Sequence, residues 1–307
     1  MRGRVIKSTG SWYEVATEEG KVFRSRLRGK FKQDGLKVNN PIAVGDMVVI
    51  AVEEAGDGTA VITHIEPREN YIIRKSTRKS RYSHILAANL DQTVLVVTLA
   101  FPRTSLGFID RFLVSAESFR IPSVLLFNKC DILEEDGLEY TAELQGLYES
   151  LGYQTAAISV EEDENMDEVK ALLKGKTSLI SGHSGVGKSS LLNRLIPGLE
   201  QKTGEVSTFA NKGTHTTTFA ELFDLDEDSF VIDTPGIKEL GLVDMETTEI
   251  GHYFPEMRAL IGACRFHNCT HTNEPGCAVK EAYSEGLIAE SRLASYYSML
   301  EDQDNRR

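Results

Sequence analysis

The 307-residue chain contains no run of about 18 apolar residues, which excludes a membrane-spanning helix. Its opening, Met1-Arg2-Gly3-Arg4-Val5, lacks the apolar stretch of a secretory signal, so a cytoplasmic location and no membrane partner are expected. It has only four cysteines, and three of them, Cys264, Cys269 and Cys277, crowd into 14 residues. In a cytosolic chain that crowding points to a metal rather than to disulfides. No internal repeat or low-complexity tract is present. The excess of acid, a net charge of −12, argues against a simple polyanion binder. The charge is uneven, however. Residues 1–82 hold 16 Lys/Arg against 10 Asp/Glu, whereas residues 83–307 hold 18 against 36. A basic N-terminal third can steer a nucleic acid locally or can simply solubilise a surface.

What is present divides into three segments: 1–66, 67–240 and 241–307. The first shows five short β-rich runs, Arg4–Lys7, Trp12–Ala16, Lys21–Ser25, Asp46–Val52 and Ala60–Ile65. Gly10, Gly20, Gly45 and Asp57-Gly58 punctuate them as turns. Five strands in that length suggest a closed barrel of OB-fold type. Between Phe23 and Lys32 stand five cations, Arg24, Arg26, Arg28, Lys30 and Lys32, with two aromatics. Cations suit phosphate and aromatics suit base stacking, so these are candidate RNA contacts. The alternative is a charged edge strand and loop guarding the barrel.

The second segment opens with a basic linker, Arg74, Lys75, Arg78, Lys79 and Arg81. Strands and helices then alternate: Gln92–Leu99, Phe108–Phe119, Ser123–Phe127, Gly137–Leu151, Thr155–Ile158, Met166–Leu173, Thr177–Ile180, Lys188–Leu195, Ala220–Asp224 and Phe230–Ile232. That rhythm predicts a parallel sheet with crossover helices. The third segment places helix-compatible stretches, Thr247–Leu260 and Ala278–Met299, around the cysteines, and a polar, fraying tail at Glu301–Arg307.

Within the second segment, Gly182-His183-Ser184-Gly185-Val186-Gly187-Lys188-Ser189 fits G-x-x-x-x-G-K-[ST], between a predicted strand and a predicted helix. Its glycines let backbone N–H groups turn toward a β-phosphate, and Lys188 would reach the β- and γ-phosphates. Ser189 would ligate Mg²⁺, and Ser190 continues the helix whose positive end faces the phosphates. Asn128-Lys129-Cys130-Asp131 fits N-K-x-D. The Asp131 carboxylate can accept from the ring N–H and the exocyclic amine of guanine, a donor pair that adenine lacks. Asp233-Thr234-Pro235-Gly236 fits D-x-x-G, with Asp233 toward Mg²⁺ and the Gly236 N–H toward a γ-phosphate. In Gly213-Thr214-His215-Thr216-Thr217-Thr218, either Thr217 or Thr218 can place a hydroxyl on Mg²⁺, and the spacing favours Thr217. Ser159 begins a further guanine-contacting loop or is an ordinary turn serine. Ile237 stands where Ras-like enzymes carry the water-orienting Gln. His215 is then the candidate catalytic group beside Lys188, unless it contacts RNA or faces solvent.

The order is inverted. N-K-x-D comes 54 residues before the phosphate loop, whereas it follows the loop in Ras-like domains. Cutting such a domain between its third and fourth motifs and joining its old ends produces this order. Each loop keeps its own strand, so the site can survive the permutation.

In the third segment Cys264-x4-Cys269-x-His271-x5-Cys277 supplies three thiolates and an imidazole, the donor set of one closed structural zinc site. His267 is a competing ligand.

These residues resemble the circularly permuted, small-ribosomal-subunit-dependent GTPases of bacteria. The resemblance covers essentially the whole chain and rests on Leu27-Arg28-Gly29-Lys30, the permuted motif order, Gly-x-His-Thr-Thr-Thr at 213–218, Asp-Thr-Pro-Gly and the Cys/His cluster. It implies an N-terminal OB-fold barrel, a permuted α/β GTPase core and a mainly helical zinc domain. It implies GTP hydrolysis stimulated by the 30S subunit late in its maturation, with 16S rRNA touched by both flanking domains. It puts the catalytic histidine at His215 and the hydrophobic replacement of Gln at Ile237. Gly185 stands where potassium-dependent GTPases carry Asn, so potassium activation by that route is not expected. GTP and GDP are the expected ligands and a monomer the default state. A GTP-dependent, RNA-binding regulator of translation, with incidental hydrolysis, is the alternative.

Overall fold

The computed structural model describes residues 1–27, 41–53, 58–75, 83–196, 198–199, 220–234 and 245–304. Its first five strands are β1 (Arg2–Ser8), β2 (Tyr13–Thr17), β3 (Val22–Leu27), β4 (Met47–Val52) and β5 (Thr59–Ile65). They pair in the order β1-β2-β3-β5-β4, and β1 also pairs with β4, which closes the barrel. Only β3 and β5 run parallel. Closure removes the exposed edges that a flat five-stranded sheet would carry. Alternate residues of these strands, Val5, Tyr13, Val15, Val48, Ile50, Ala60 and Ile62, fill the barrel.

Arg74 and Lys75 of the expected basic linker end a strand of a hairpin, whereas Arg78, Lys79 and Arg81 lie outside the described residues. Strands β6 (Tyr71–Lys75) and β7 (Ser83–Ala88) pair antiparallel. Ile72, Ile73 and Ile85 are buried beneath it, and this apolar payload outweighs the run of cations as a structural signal. The barrel is tied to the approach to this hairpin by Asp46, fully buried, which accepts from Arg68 Nε and Nη2 at 2.6 Å each.

The core follows as β8 (Gln92–Val97), α1 (Leu106–Ser118), β9 (Ser123–Phe127), α2 (Glu135–Ser150), β10 (Gln154–Ala157), α3 (Met166–Leu173), β11 (Thr177–Ser181), α4 (Lys188–Leu195), β12 (Glu221–Asp224) and β13 (Phe230–Asp233). The strand order is β10-β9-β8-β11-β13-β12. The first five strands in that order are mutually parallel. Strand β12 runs antiparallel to β13, a departure from the all-parallel expectation. The continuous apolar runs of β8 and β9 arise because both faces are covered. Leu95, Val97, Leu125 and Phe127 point to α1 and α2, whereas Val94, Val96, Val124 and Leu126 point to α3 and α4.

The outer edge of β12 is occupied by the barrel. Strand β1 pairs with it antiparallel, Lys7 opposite Glu221, and Lys7 Nζ donates to Glu221 Oε1 at 2.8 Å. Barrel and core therefore share one eleven-stranded sheet.

Beyond the core come α5 (Pro255–Arg258), α6 (Ala278–Ser284) and α7 (Glu290–Asp304). The stretch 278–299 is thus two helices, broken where Gly286 takes a left-handed φ of +76°. Helix α7 also runs on into the tail, as far as Asp304. It packs on α1 through a buried charge cluster. Arg292, 1% exposed, donates to Asp110 Oδ1 at 2.6 Å and to Glu256 Oε1 at 2.7 Å. Tyr148 Oη donates to the same Asp110 oxygen at 2.9 Å, and the Arg292 guanidinium lies 4.5 Å from the Phe254 ring centroid. One arginine thereby fastens α7 and α5 to α1 and α2.

Removing one partner of a buried pair leaves the other charge uncompensated, at about 3–5 kcal/mol. Arg292→Ala is therefore expected to destabilise the protein by about that much in chemical denaturation. Arg292→Ala combined with Asp110→Ala is expected to cost less than the two single losses added.

Candidate guanine-nucleotide site and metal centre

The candidate nucleotide loops all leave the carboxyl ends of neighbouring strands, where ligands bind in open α/β sheets. Loop 182–187 follows β11, residues 128–131 follow β9, Ser159 lies just past β10, and Asp233 ends β13. Two glycines are required by close approach. A Cβ on Gly182 would lie 2.4 Å from the Val96 carbonyl, and one on Gly187 would lie 2.3 Å from Asn128 Nδ2. Gly187 also takes a φ of +100°, which a side chain would strain. Val186, buried, anchors the loop in the core beneath it.

Asn128 is the link between the two motifs. Its Nδ2 donates to the Val186 carbonyl at 2.8 Å, and its Oδ1 accepts from the Val160 N–H at 3.1 Å. One buried amide thus spans the phosphate loop, the N-K-x-D loop and the loop after β10. Ser159 is bound into the same arrangement. Its Oγ donates to Asp131 Oδ1 at 2.6 Å and accepts from the Glu162 N–H at 3.1 Å. The Asp131 carboxylate is thereby held in one orientation with its other oxygen available. Lys129 takes a left-handed backbone conformation, φ +67°, and its Nζ donates to the Phe101 carbonyl at 2.7 Å.

Lys188 folds over the phosphate loop and donates to the carbonyls of Gly182 at 2.5 Å and His183 at 2.6 Å. Burial lowers its pKa, and the Asp233 carboxylate opposes that shift. Asp233 sits opposite Ile180 in the β11–β13 register, two residues before the phosphate loop. A carboxylate beside the loop and the Ser189 hydroxyl in the first turn of α4 form a hard oxygen set of the kind Mg²⁺ takes. The His183 ring packs on Phe108 of α1, centroids 3.7 Å apart, a contact that no motif signals. Ser184, Gly185 and Ser190 lie in the same loop and first helical turn. His215, Thr217, Gly236 and Ile237 lie outside the described residues.

Of the candidate RNA contacts, Arg24 sits over the Trp12 ring at 4.4 Å from its centroid. Arg26 shares its charge with Glu53 at 2.7 Å. Arg28, Lys30 and Lys32 lie outside the described residues.

In the third segment Cys264, Cys269, His271 and Cys277 bring their donor atoms within 4.8 Å of one another. His271 Nδ1 stands 3.4 Å from Cys277 Sγ and 3.6 Å from Cys264 Sγ. A tetrahedral zinc with Zn–S of about 2.3 Å and Zn–N of about 2.0 Å sets N···S edges of about 3.5 Å, so this donor set fits that ion. His267 is exposed and outside the cluster. The knuckle is fixed from behind. Tyr296 and Tyr297 of α7 donate to the carbonyls of Thr270 and His271, both at 2.8 Å. Glu274 accepts the N–H groups of Thr270, Thr272 and Asn273. Against the upward push of burial, the hydrogen bonds from Thr270 and its neighbours hold the Glu274 carboxyl at about 2.

The strand order and converging loops define a P-loop GTPase core whose chain order is circularly permuted. A model described as RsgA GTPase matches residues 65–243, and one described as RsgA N-terminal domain matches residues 2–60. The chain belongs to the RsgA GTPase family. It is 53% identical over 304 residues to the small ribosomal subunit biogenesis GTPase RsgA 2 of Bacteroides thetaiotaomicron, covering 99% of this chain and 97% of that one. It is 53% identical over 307 residues to the RsgA of Cytophaga hutchinsonii, covering all of both. Among solved structures it resembles YjeQ from Thermotoga maritima, with a TM-score of 0.79 and 38% identity over 100% of this chain and 99% of that one. It also resembles YloQ, a circularly permuted GTPase, with a TM-score of 0.75 and 29% identity over 100% and 96%.

The Ser159–Asp131 hydrogen bond is charge-assisted, a class worth about 1.5–3 kcal/mol. Ser159→Ala is expected to weaken GDP binding roughly tenfold or more in calorimetry, with no gain in ADP binding.

Proposed function

We propose that this GTPase docks on the 30S ribosomal subunit through 16S rRNA late in subunit maturation, and that docking accelerates its hydrolysis of GTP. The full-length similarity to proteins named for small ribosomal subunit biogenesis carries this reading. The barrel, which carries Arg24 and Arg26 on β3 and runs edge to edge into the nucleotide-binding sheet, supports it. The division of labour is 1–66 for RNA, 67–240 for GTP and 241–307 for zinc-dependent docking, in a single chain acting in the cytoplasm.

In this reading Asn128 orders the loops and Asp131, oriented by Ser159, accepts from the guanine edge. Lys129 lines the base pocket. Backbone N–H groups from Gly182 to Ser190, through His183, Ser184, Gly185, Val186 and Gly187, surround the phosphates. On nucleotide binding Lys188 leaves the carbonyls of Gly182 and His183 for the β- and γ-phosphates. Ser189, Asp233 and Thr217 would hold Mg²⁺, which supplies charge neutralisation across the phosphates when bound. The Gly236 N–H meets the γ-phosphate. Ile237 cannot polarise water, so His215 takes part in activating it. Arg24, Arg26, Arg28, Lys30 and Lys32 form the barrel's RNA face.

The test is GTP turnover with and without purified 30S subunits. kcat is expected to rise with 30S and not with 50S subunits. Lys188→Ala should abolish turnover, and His215→Ala should lower kcat at least tenfold, about 1.4 kcal/mol of barrier. No response of the wild-type protein to 30S would overturn the reading.

Cys264, Cys269, His271 and Cys277 would hold one structural zinc. Metal analysis is expected to find one zinc per chain. Cys269→Ser, or a strong chelator, should remove it and lower the melting temperature, because a small metal domain draws its folding free energy from the ion.

A further inference from the structure

The loop between β8 and α1 carries an aromatic side chain that the fold does not use. Phe101 is 82% exposed. Single exposed apolar residues are ordinary, but this one stands on a fastened support. The Thr104 N–H donates to the Thr98 carbonyl at 2.8 Å, and the Thr98 N–H to Thr104 Oγ1 at 3.2 Å. Thr98 Oγ1 donates to the Pro102 carbonyl, and Ser105 caps α1 by accepting from the Phe108 N–H. These bonds close the neck of the loop and leave Phe101 and Arg103 at its tip. Arg103 is exposed and has no ion pair among the described residues.

We propose that Phe101 and Arg103 form an RNA-docking finger beside the nucleotide site, with one unpaired base stacked on the Phe101 ring and a phosphate on Arg103. The inference rests on the 30S reading above and adds a contact point on the core itself. A preformed aromatic next to a free cation is the pair that single-stranded RNA takes, whereas an apolar protein pocket would have no use for the cation. The setting sharpens the assignment. Residues 83–307 hold twice as many acids as bases, so an unopposed arginine on this surface marks a place where a polyanion can approach.

The finger also touches the nucleotide site twice. Lys129 of N-K-x-D donates to the Phe101 carbonyl, and three residues past the cap Phe108 packs on His183 of the phosphate loop. RNA held at the tip therefore biases the base pocket through Lys129 and the phosphate loop through α1. By linkage, a bound guanine nucleotide biases docking in return.

The test is equilibrium binding of the full chain to purified 30S subunits with a non-hydrolysable GTP analogue, across a range of salt. Stacking of one base predicts that Phe101→Ala weakens binding roughly 5- to 150-fold. Phe101→Trp should bind like wild type, and Phe101→Leu as poorly as the alanine variant. Arg103→Gln should lower the slope of log K against log salt by about one. GDP affinity and hydrolysis without ribosomes should be unchanged in every Phe101 variant, since the side chain is 82% exposed and Lys129 is held by the main-chain carbonyl, which every variant keeps. Wild-type binding together with equal binding by Phe101→Ala would overturn this inference alone. Rescue by leucine would assign the ring to an apolar protein pocket and overturn the RNA assignment. A wild-type protein that ignores 30S would overturn both this inference and the function on which it rests.

Discussion

The side-chain amide of Asn128 is the contact on which the site depends. The phosphate loop and the guanine motif leave strands β11 and β9, which do not touch, because β8 lies between them. Parallel register aligns the ends of β11 and β9 to within two residues, but it does not hold one loop against another. Asn128 does so by donating to Val186 and accepting from Val160. Both its donor and its acceptor are satisfied within a buried setting, where an unmet polar group would cost about 1–3 kcal/mol. Gly187 carries no Cβ because that atom would occupy the place of the amide.

The same economy explains why permutation is tolerated. The loops are set by strand neighbours, not by chain order, and every strand keeps its neighbours. The new ends of the core are put to use. Its edge strand β12 is completed by β1, which brings the barrel into the sheet and covers an edge that would otherwise pair with other chains. At the other end of the core sequence, α7 returns to α1 and is fastened by Arg292 to Asp110 and Glu256. Helix α1 thus receives the C-terminal segment along its length and the phosphate loop at its start, through Phe108 and His183.

The legible parts of the site were those in which chemistry demands a residue type at a fixed spacing. The phosphate loop, N-K-x-D and the Cys/His cluster are of this kind, since in each of them neighbours in sequence are brought to one place. Strands β8 and β9 were legible because burial on both faces leaves an unbroken apolar run. Less legible were elements whose signal is mixed. The hairpin β6–β7 reads as a basic linker because Arg74 and Lys75 open a run of cations in the sequence, which hides the three isoleucines that the hairpin buries. The break between α6 and α7 rests on the conformation of Gly286, which resembles any helix-tolerated glycine until its φ is known. Ser159 was open between two readings because its meaning lies in a bond to Asp131, 28 residues away.

The residues alone determined the kind of ligand, the permuted order of the motifs and a Cys/His donor set suited to a metal, because local spacing and side-chain chemistry carry that information. Tertiary structure alone decided that Asn128 joins three loops, that His183 rests on Phe108, that β1 extends the core sheet and that Arg292 is buried. Each of these joins groups far apart in the chain. A charged or polar residue reads as solvent-exposed until the fold supplies the partner that lets it be buried.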